Sequence, residues 1–179
     1  MNHLKKLIYT AIFLAMGFVL PMLIGQIPTL GKALLPMHIP VFLCAMICGW
    51  QYGALIGCLL PLLRSLIFGV PTMYPTAIAV AFEMFVYGFV SGLIFDLFKK
   101  KNIISIYSSR LPAMILGRIV RCIAEIILLG IKGTTFVWKS FAIGVILNST
   151  PGIILQLILI PAVILTLKKI RILKFDNQI

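Results

Sequence analysis

Only four of the 179 residues are acidic (Glu83, Asp96, Glu125 and Asp176), while sixteen are lysine or arginine. Most of the basic residues gather at three places: Lys5–Lys6, Lys99–Lys101 with Arg110, and Lys168–Lys174. The stretches between them are long and apolar, and hydrophobic residues make up 61% of the chain. A soluble fold of this composition would have too little polar surface to cover itself. Charge clusters flanking apolar spans are the pattern of a polytopic membrane protein obeying the positive-inside rule. A second, smaller set of charges, Arg64, Glu83, Arg118, Arg121 and Glu125, lies inside the apolar stretches. Ionisable groups at membrane depth are costly and by default mark a site.

The net charge of +12 does not point to nucleic acid. No basic face interleaved with aromatics exists, and the basic residues flank spans, so anionic lipid headgroups are the simpler partner. Cys44, Cys48, Cys58 and Cys122 all fall within apolar spans. Cys44 and Cys48 share a helix face, but His38 is the only further ligand near their depth, so they read as small packing residues and no metal is expected. The start, Lys5–Lys6 then an apolar run, lacks a small-x-small cleavage site, and the first span is expected to stay as an anchor. No HExxH, GxSxG or paired Asp motif is present, so no catalytic residue is assigned. Without a P-loop this chain cannot hydrolyse ATP, and no cofactor is expected in it. Residues 1–179 read as a single transmembrane domain.

A span needs roughly 20 apolar residues. The expected spans are Leu7–Ile24, Met37–Cys48, Ala54–Phe68, Thr76–Phe98, Pro112–Ile131 and Phe141–Leu167. Gly25–Pro36 is a polar loop with Gln26, Thr29 and Lys32. Gly49–Gly53 is a tight turn carrying Trp50 and Tyr52, and Gly69–Pro75 is a loop. Lys99–Leu111 is a basic connector, and Lys132–Lys139 a short loop. The second and third spans are together short for two crossings and could form a tilted or partly re-entrant hairpin. One side of this layout holds ten basic residues (Lys5, Lys6, Lys99, Lys100, Lys101, Arg110, Lys168, Lys169, Arg171 and Lys174) and the other three (Lys32, Lys132 and Lys139). The fold class expected is therefore an all-α six-helix transmembrane bundle with both termini cytoplasmic.

Small residues recur at four-residue spacing: Ala11 and Ala15, Gly53 and Gly57, Gly88 and Gly92. Each pair lets two helix backbones approach, either inside the bundle or against a partner membrane protein. Orientation also brings His38, Arg64, Glu83, Arg121, Glu125 and Asn148 toward one depth in the outer half. Arg121 and Glu125 can pair at i,i+4, with Arg118 on the same side. Two readings stay open: a self-neutralising ion network, or a site for a polar solute entering from outside. Three arginines against two carboxylates leave one surplus positive charge, which suits a carboxylate or phosphate gripped by guanidinium. Tyr74, Tyr87 and Trp138 can stack on a ring, cover the site or anchor at the interface. Pro61 and Pro161 can kink their spans.

These residues resemble a known family. Ala11-Ile-Phe-Leu-Ala15, Leu35-Pro-Met-His-Ile-Pro-Val41, Leu60-Pro-Leu-Leu-Arg-Ser-Leu-Ile-Phe-Gly69, Tyr74-Pro-Thr-Ala-Ile-Ala-Val-Ala-Phe-Glu83 with Tyr87-Gly88, Gly117-Arg118-Ile-Val-Arg121 and Pro151-Gly-Ile-Ile-Leu-Gln156 look like a substrate-binding S component of an energy-coupling factor (ECF) vitamin transporter. The resemblance covers nearly the whole chain. It implies a multi-pass protein of the bacterial cell membrane that captures a small vitamin or precursor from outside under a closing loop. It also implies docking through Ala11 and Ala15 on a transmembrane coupling subunit driven by two ATPase subunits, then toppling to release the ligand inside. The substrate-binding residues expected from local chemistry are His38, Arg64, Tyr74, Glu83, Tyr87, Arg121, Glu125 and Asn148. The positive surplus favours pantothenate. Pyridoxine, hydroxymethylpyrimidine-type precursors, a queuosine precursor or another micronutrient remain as alternatives. A solitary small carrier or channel, or an integral membrane enzyme acting on lipid, are the readings from other classes.

Overall fold

The computed structural model describes residues 2–24, 36–98, 102–133, 138, 144 and 150–169. All regular structure among them is helical: α1 (His3–Ile24), α2 (His38–Cys48), α3 (Trp50–Phe68), a π-type turn (Met73–Ala77), α4 (Ile78–Leu97), α5 (Ile103–Ile131) and α6 (Thr150–Lys169). The expected features Gly25–Leu35, Lys99–Lys101, Lys139, Asn148–Ser149 and the tail beyond Lys169 lie outside the described residues. Four stretches are long and apolar enough to cross a membrane: His3–Leu23, Trp50–Phe68, Met73–Leu97 and Thr150–Leu167. The protein is thus an integral membrane helical protein. At 1.5 Å per residue the 11 residues of α2 reach only about 16 Å, half of a bilayer core. The 29 residues of α5 are long enough to cross, but their three arginines and Glu125 dilute their hydropathy.

α2 explains the bundle's shape. It is apolar on every side, and all of it except Ile47 is buried, as expected of a helix wrapped by others rather than facing lipid. Pro40 sits in its first turn, where a missing N–H breaks no bond. Cys44 and Cys48 are buried on it, with Cys44 Sγ 3.8 Å from Thr10 Oγ1 of α1. Gly49 separates α2 from α3 with φ +106°, a value L side chains rarely adopt. Here the expected turn Gly49–Gly53 shrinks to one residue: Trp50, Gln51 and Tyr52 form the first turn of α3, because Gly49 alone supplies the reversal.

α3 and α4 run antiparallel at close quarters. A side chain on Gly88 would run into the Gly53 carbonyl, one on Gly57 into the Met84 carbonyl, and one on Gly92 into the Trp50 backbone. Both glycine pairs are therefore consumed by packing inside the bundle. Ala11 and Ala15 of α1 differ: both are exposed, while Phe13 and Gly17 turn inward, Gly17 against Leu60.

A second departure from the expected layout concerns residues 103–111. The basic connector is not a loop there; α5 begins at Ile103 and runs unbroken through Pro112. Its polar hydroxyls are absorbed within the helix. Ser105 donates to the Asn102 carbonyl at 2.6 Å and Ser109 to the Ile106 carbonyl at 2.9 Å. The expected Gly69–Pro75 loop persists through Tyr74, whose backbone is extended (φ −121°, ψ 129°), and the helical course toward α4 begins only after it.

Candidate functional site

α5 carries Arg118, Arg121 and Glu125 on one face, spaced three and four residues apart. That face meets Glu83 of α4, which is fully buried. Both carboxylate oxygens of Glu83 are engaged. Oε2 accepts from Arg121 Nη1 at 2.9 Å. Oε1 lies 3.3 Å from Arg118 Nη1 and accepts the Tyr87 hydroxyl at 2.6 Å. Arg121 Nε reaches Glu125 Oε1 at 3.3 Å. The two arginines and Glu125 keep between 13% and 17% of their side-chain surface exposed, so the network has one fully buried partner and an edge open to its surroundings. Two guanidiniums against two carboxylates leave it with no net charge.

Tyr87 is the pivot beneath Glu83. His38, the first residue of α2, lies with its ring 5.5 Å from that of Tyr87, and Phe42 stacks on it at 5.2 Å. Gly117 of α5 leaves room for the tyrosine, since a side chain there would strike the Tyr87 ring. His38 is 3% exposed. The packing of α2 thus draws His38 into the core rather than leaving it at the surface of the outer half.

Arg64 does not join this network. Its Nη1 lies 3.5 Å from Met37 Sδ, and its Nε has no hydrogen-bond partner among the described residues. The α3–α4 register shows why. Gly57 sits level with Met84, so Arg64 lies about 10 Å further along α3, toward Gly69. The sequence surplus of one positive charge is therefore located on Arg64, apart from the neutral cluster. Tyr74 is also set apart. It is 36% exposed and its hydroxyl donates to the Leu128 carbonyl near the end of α5. Trp138 is exposed, and Asn148 lies outside the described residues.

A second polar layer escaped the sequence reading. Arg110, counted there among the cytoplasmic charges, is fully buried. Its Nη1 donates to the Gln156 carbonyl of α6 at 2.8 Å, and its guanidinium carbon stands 4.7 Å from the centre of the Phe42 ring. One turn earlier, the Tyr107 hydroxyl donates to the Leu157 carbonyl at 2.9 Å. Pro161 explains the second bond: it lacks the N–H that would normally bond the carbonyl four residues back, which is that of Leu157. Ser91, Ser109 and Gln156 are buried in the same half of the bundle. The readable signal was the pair of Gln156 and Pro161 within an otherwise apolar span.

Residues 5–164 match the family model described as ECF transporter, substrate-specific component. No curated protein and no solved structure matches the chain. The family match covers both polar layers, the glycine-packed hairpin and the exposed alanine pair. The chain therefore belongs to the substrate-specific components of ECF transporters, integral membrane subunits that bind a small-molecule substrate for an importer and its energising module and are not enzymes.

Proposed function

We propose that this subunit captures a small carboxylate-bearing vitamin or precursor from outside the bacterial cell, with pantothenate as the first candidate. The observation that carries the reading is Arg64. Glu83, Glu125, Arg118 and Arg121 neutralise one another, whereas Arg64 meets a thioether and no carboxylate among the described residues. A guanidinium left with free donors matches a carboxylate. His38, Tyr74, Glu83, Tyr87, Arg121, Glu125 and Asn148 complete the substrate-contacting set in this reading. Six spans with both termini cytoplasmic set this end of the bundle outside.

The exposed alanines of α1 supply the docking face for the coupling subunit, which two ATPase subunits drive; ATP is used there and not in this chain. The glycine pairs cannot serve that purpose, being occupied inside the bundle.

The test is mass spectrometry of ligand released from gently purified protein, followed by titration. Pantothenate or another carboxylate recovered near one per chain supports the reading, and Arg64→Gln should weaken its binding by about ten- to a hundredfold. Recovery of a neutral compound such as pyridoxine would remove the carboxylate. Replacing Ala11 and Ala15 by leucine should abolish co-purification with the coupling module and leave ligand binding intact. Binding lost with assembly retained would overturn that division of labour.

A further inference from the structure

Asp96 is the one acidic residue that neither the ion cluster nor the tail accounts for. Glu83 and Glu125 belong to the cluster, and Asp176 lies near the end of the chain. Asp96 stands near the end of α4, where its carboxylate borders a cavity of about 130 Å³ lined by Lys6, Cys48, Gly49, Trp50, Gln51 and Asp96. The start of α1, the α2–α3 junction and the end of α4 meet there. All three of α1, α3 and α4 hold stretches long and apolar enough to cross a membrane. Their ends therefore reach one membrane surface together, and the cavity opens at the level of lipid headgroups.

Opposite charges face the same space. A methyl group on Gly49 would stand 3.9 Å from Lys6 Nζ and 3.9 Å from Asp96 Oδ2, so the glycine leaves the gap between them open. The Lys6 ammonium is tipped over the Tyr52 ring, 5.9 Å from its centre, and Trp50 is braced edge-on against Phe89 at 5.2 Å. At roughly 30 Å³ per water, the cavity has room for about four small groups. An aminoethyl ester arm is of that size: one oxygen, two carbons and one nitrogen.

We propose that this cavity holds the headgroup of phosphatidylethanolamine, with its ammonium on Asp96 and its phosphate on Lys6. An anionic lipid would satisfy Lys6 and meet repulsion from Asp96. Phosphatidylcholine carries the same two charges, but its quaternary nitrogen has no N–H for the carboxylate and brings three methyl groups into the cavity. A primary ammonium has three donors, and a carboxylate about four lone-pair sites, so it can bond Asp96 beside any protein donor already there. Free phosphoethanolamine shares this chemistry; the position between helix ends at the membrane surface, beside the interfacial ring of Trp50, selects the lipid.

The experiment is native mass spectrometry of the full chain released from nanodiscs. They hold equal amounts of phosphatidylethanolamine, its N-methyl and N,N-dimethyl forms, phosphatidylcholine and phosphatidylglycerol, all with the same acyl chains. One phosphatidylethanolamine should be retained about tenfold over phosphatidylcholine, the worth of one charge-assisted hydrogen bond, with the partly methylated lipids between them. Asp96→Asn should bring phosphatidylethanolamine down to the level of phosphatidylcholine, and Lys6→Met should lower retention of both. Should the asparagine variant fail to fold, the methylated series on the parent carries the test. Equal retention of phosphatidylethanolamine and phosphatidylcholine by the parent, or a preference that survives Asp96→Asn, overturns the proposal. Phosphatidylglycerol retained above both overturns it as well, by making the cavity an anionic-lipid site. Displacement of the lipid by millimolar phosphoethanolamine would assign the cavity to a soluble solute and overturn the lipid.

Discussion

Arg121 and Arg110 lie about three turns apart on α5 and are buried by opposite means. Arg121 shares Glu83 with Arg118 and holds Glu125 as well. Arg110 has one backbone carbonyl and one aromatic face. The first arrangement closes on itself: every charge has an opposite charge within reach, and the cluster fixes α5 against α4. The second is open, a charge whose countercharge is not supplied by the described residues. The same side chain on the same helix thus does two kinds of work. The difference teaches that burial of an ionisable group in a membrane bundle does not define its role; the partner set does.

Glu83→Gln should break the first arrangement most severely. It leaves Arg118 and Arg121 facing a neutral amide in a fully buried position, and breaking a buried pair from one side costs about 3–5 kcal/mol. Arg110→Met should behave differently. It removes a charge that lacks a countercharge, along with one hydrogen bond to a carbonyl that keeps its helix partner, so stability should stay within about 1 kcal/mol of the parent. Thermal unfolding of both variants in the same detergent measures the contrast. Equal losses would mean that Arg110 is compensated as fully as Arg121 and would erase the distinction.

A parallel contrast separates the small-residue pairs. Gly57→Ala and Gly88→Ala place a methyl group against the backbone of the facing helix, and overpacking of that kind costs about 1–3 kcal/mol. Ala11→Leu on the exposed face of α1 should change stability by no more than about 0.5 kcal/mol. Unfolding midpoints check both, and a stable Gly88→Ala variant would show that α3 and α4 are not in tight backbone contact.

Much of this was legible before the structure. The pairing of Arg121 with Glu125 follows from their i,i+4 spacing, and Glu83 as their partner follows from two charges needing a countercharge at depth. The four-residue spacing of Gly53 and Gly57 announced a close helix approach. Spacing alone left open whether such a stripe faces a neighbour in the bundle or a partner, because that depends on which side of the helix the rest of the chain covers. Arg64 was expected within the ion network because its depth was estimated from the span ends alone; the register of α3 on α4 places it about 10 Å further along the helix than Glu83. Arg110 was read as a loop charge because it follows a basic tripeptide and a serine-rich stretch of low hydropathy. The serines bond their own helix carbonyls, so polarity that looks like a loop is satisfied locally and the helix continues.

A further contrast tests the joint between α5 and α6. Tyr107→Phe removes the side-chain donor that bonds the Leu157 carbonyl, whose usual partner, the Pro161 N–H, is missing. Loss of this part-buried hydrogen bond costs about 1 kcal/mol, so the variant should unfold slightly earlier than the parent. Pro161→Ala restores the N–H at that position, and in its background the loss of the tyrosine hydroxyl should cost less than about 0.5 kcal/mol. A double-mutant cycle on unfolding midpoints reads the coupling directly. Coupling near zero would mean that Tyr107 does not stand in for the proline's lost bond. Strong coupling would identify Tyr107 as the donor that stands in for the proline's lost bond at this joint.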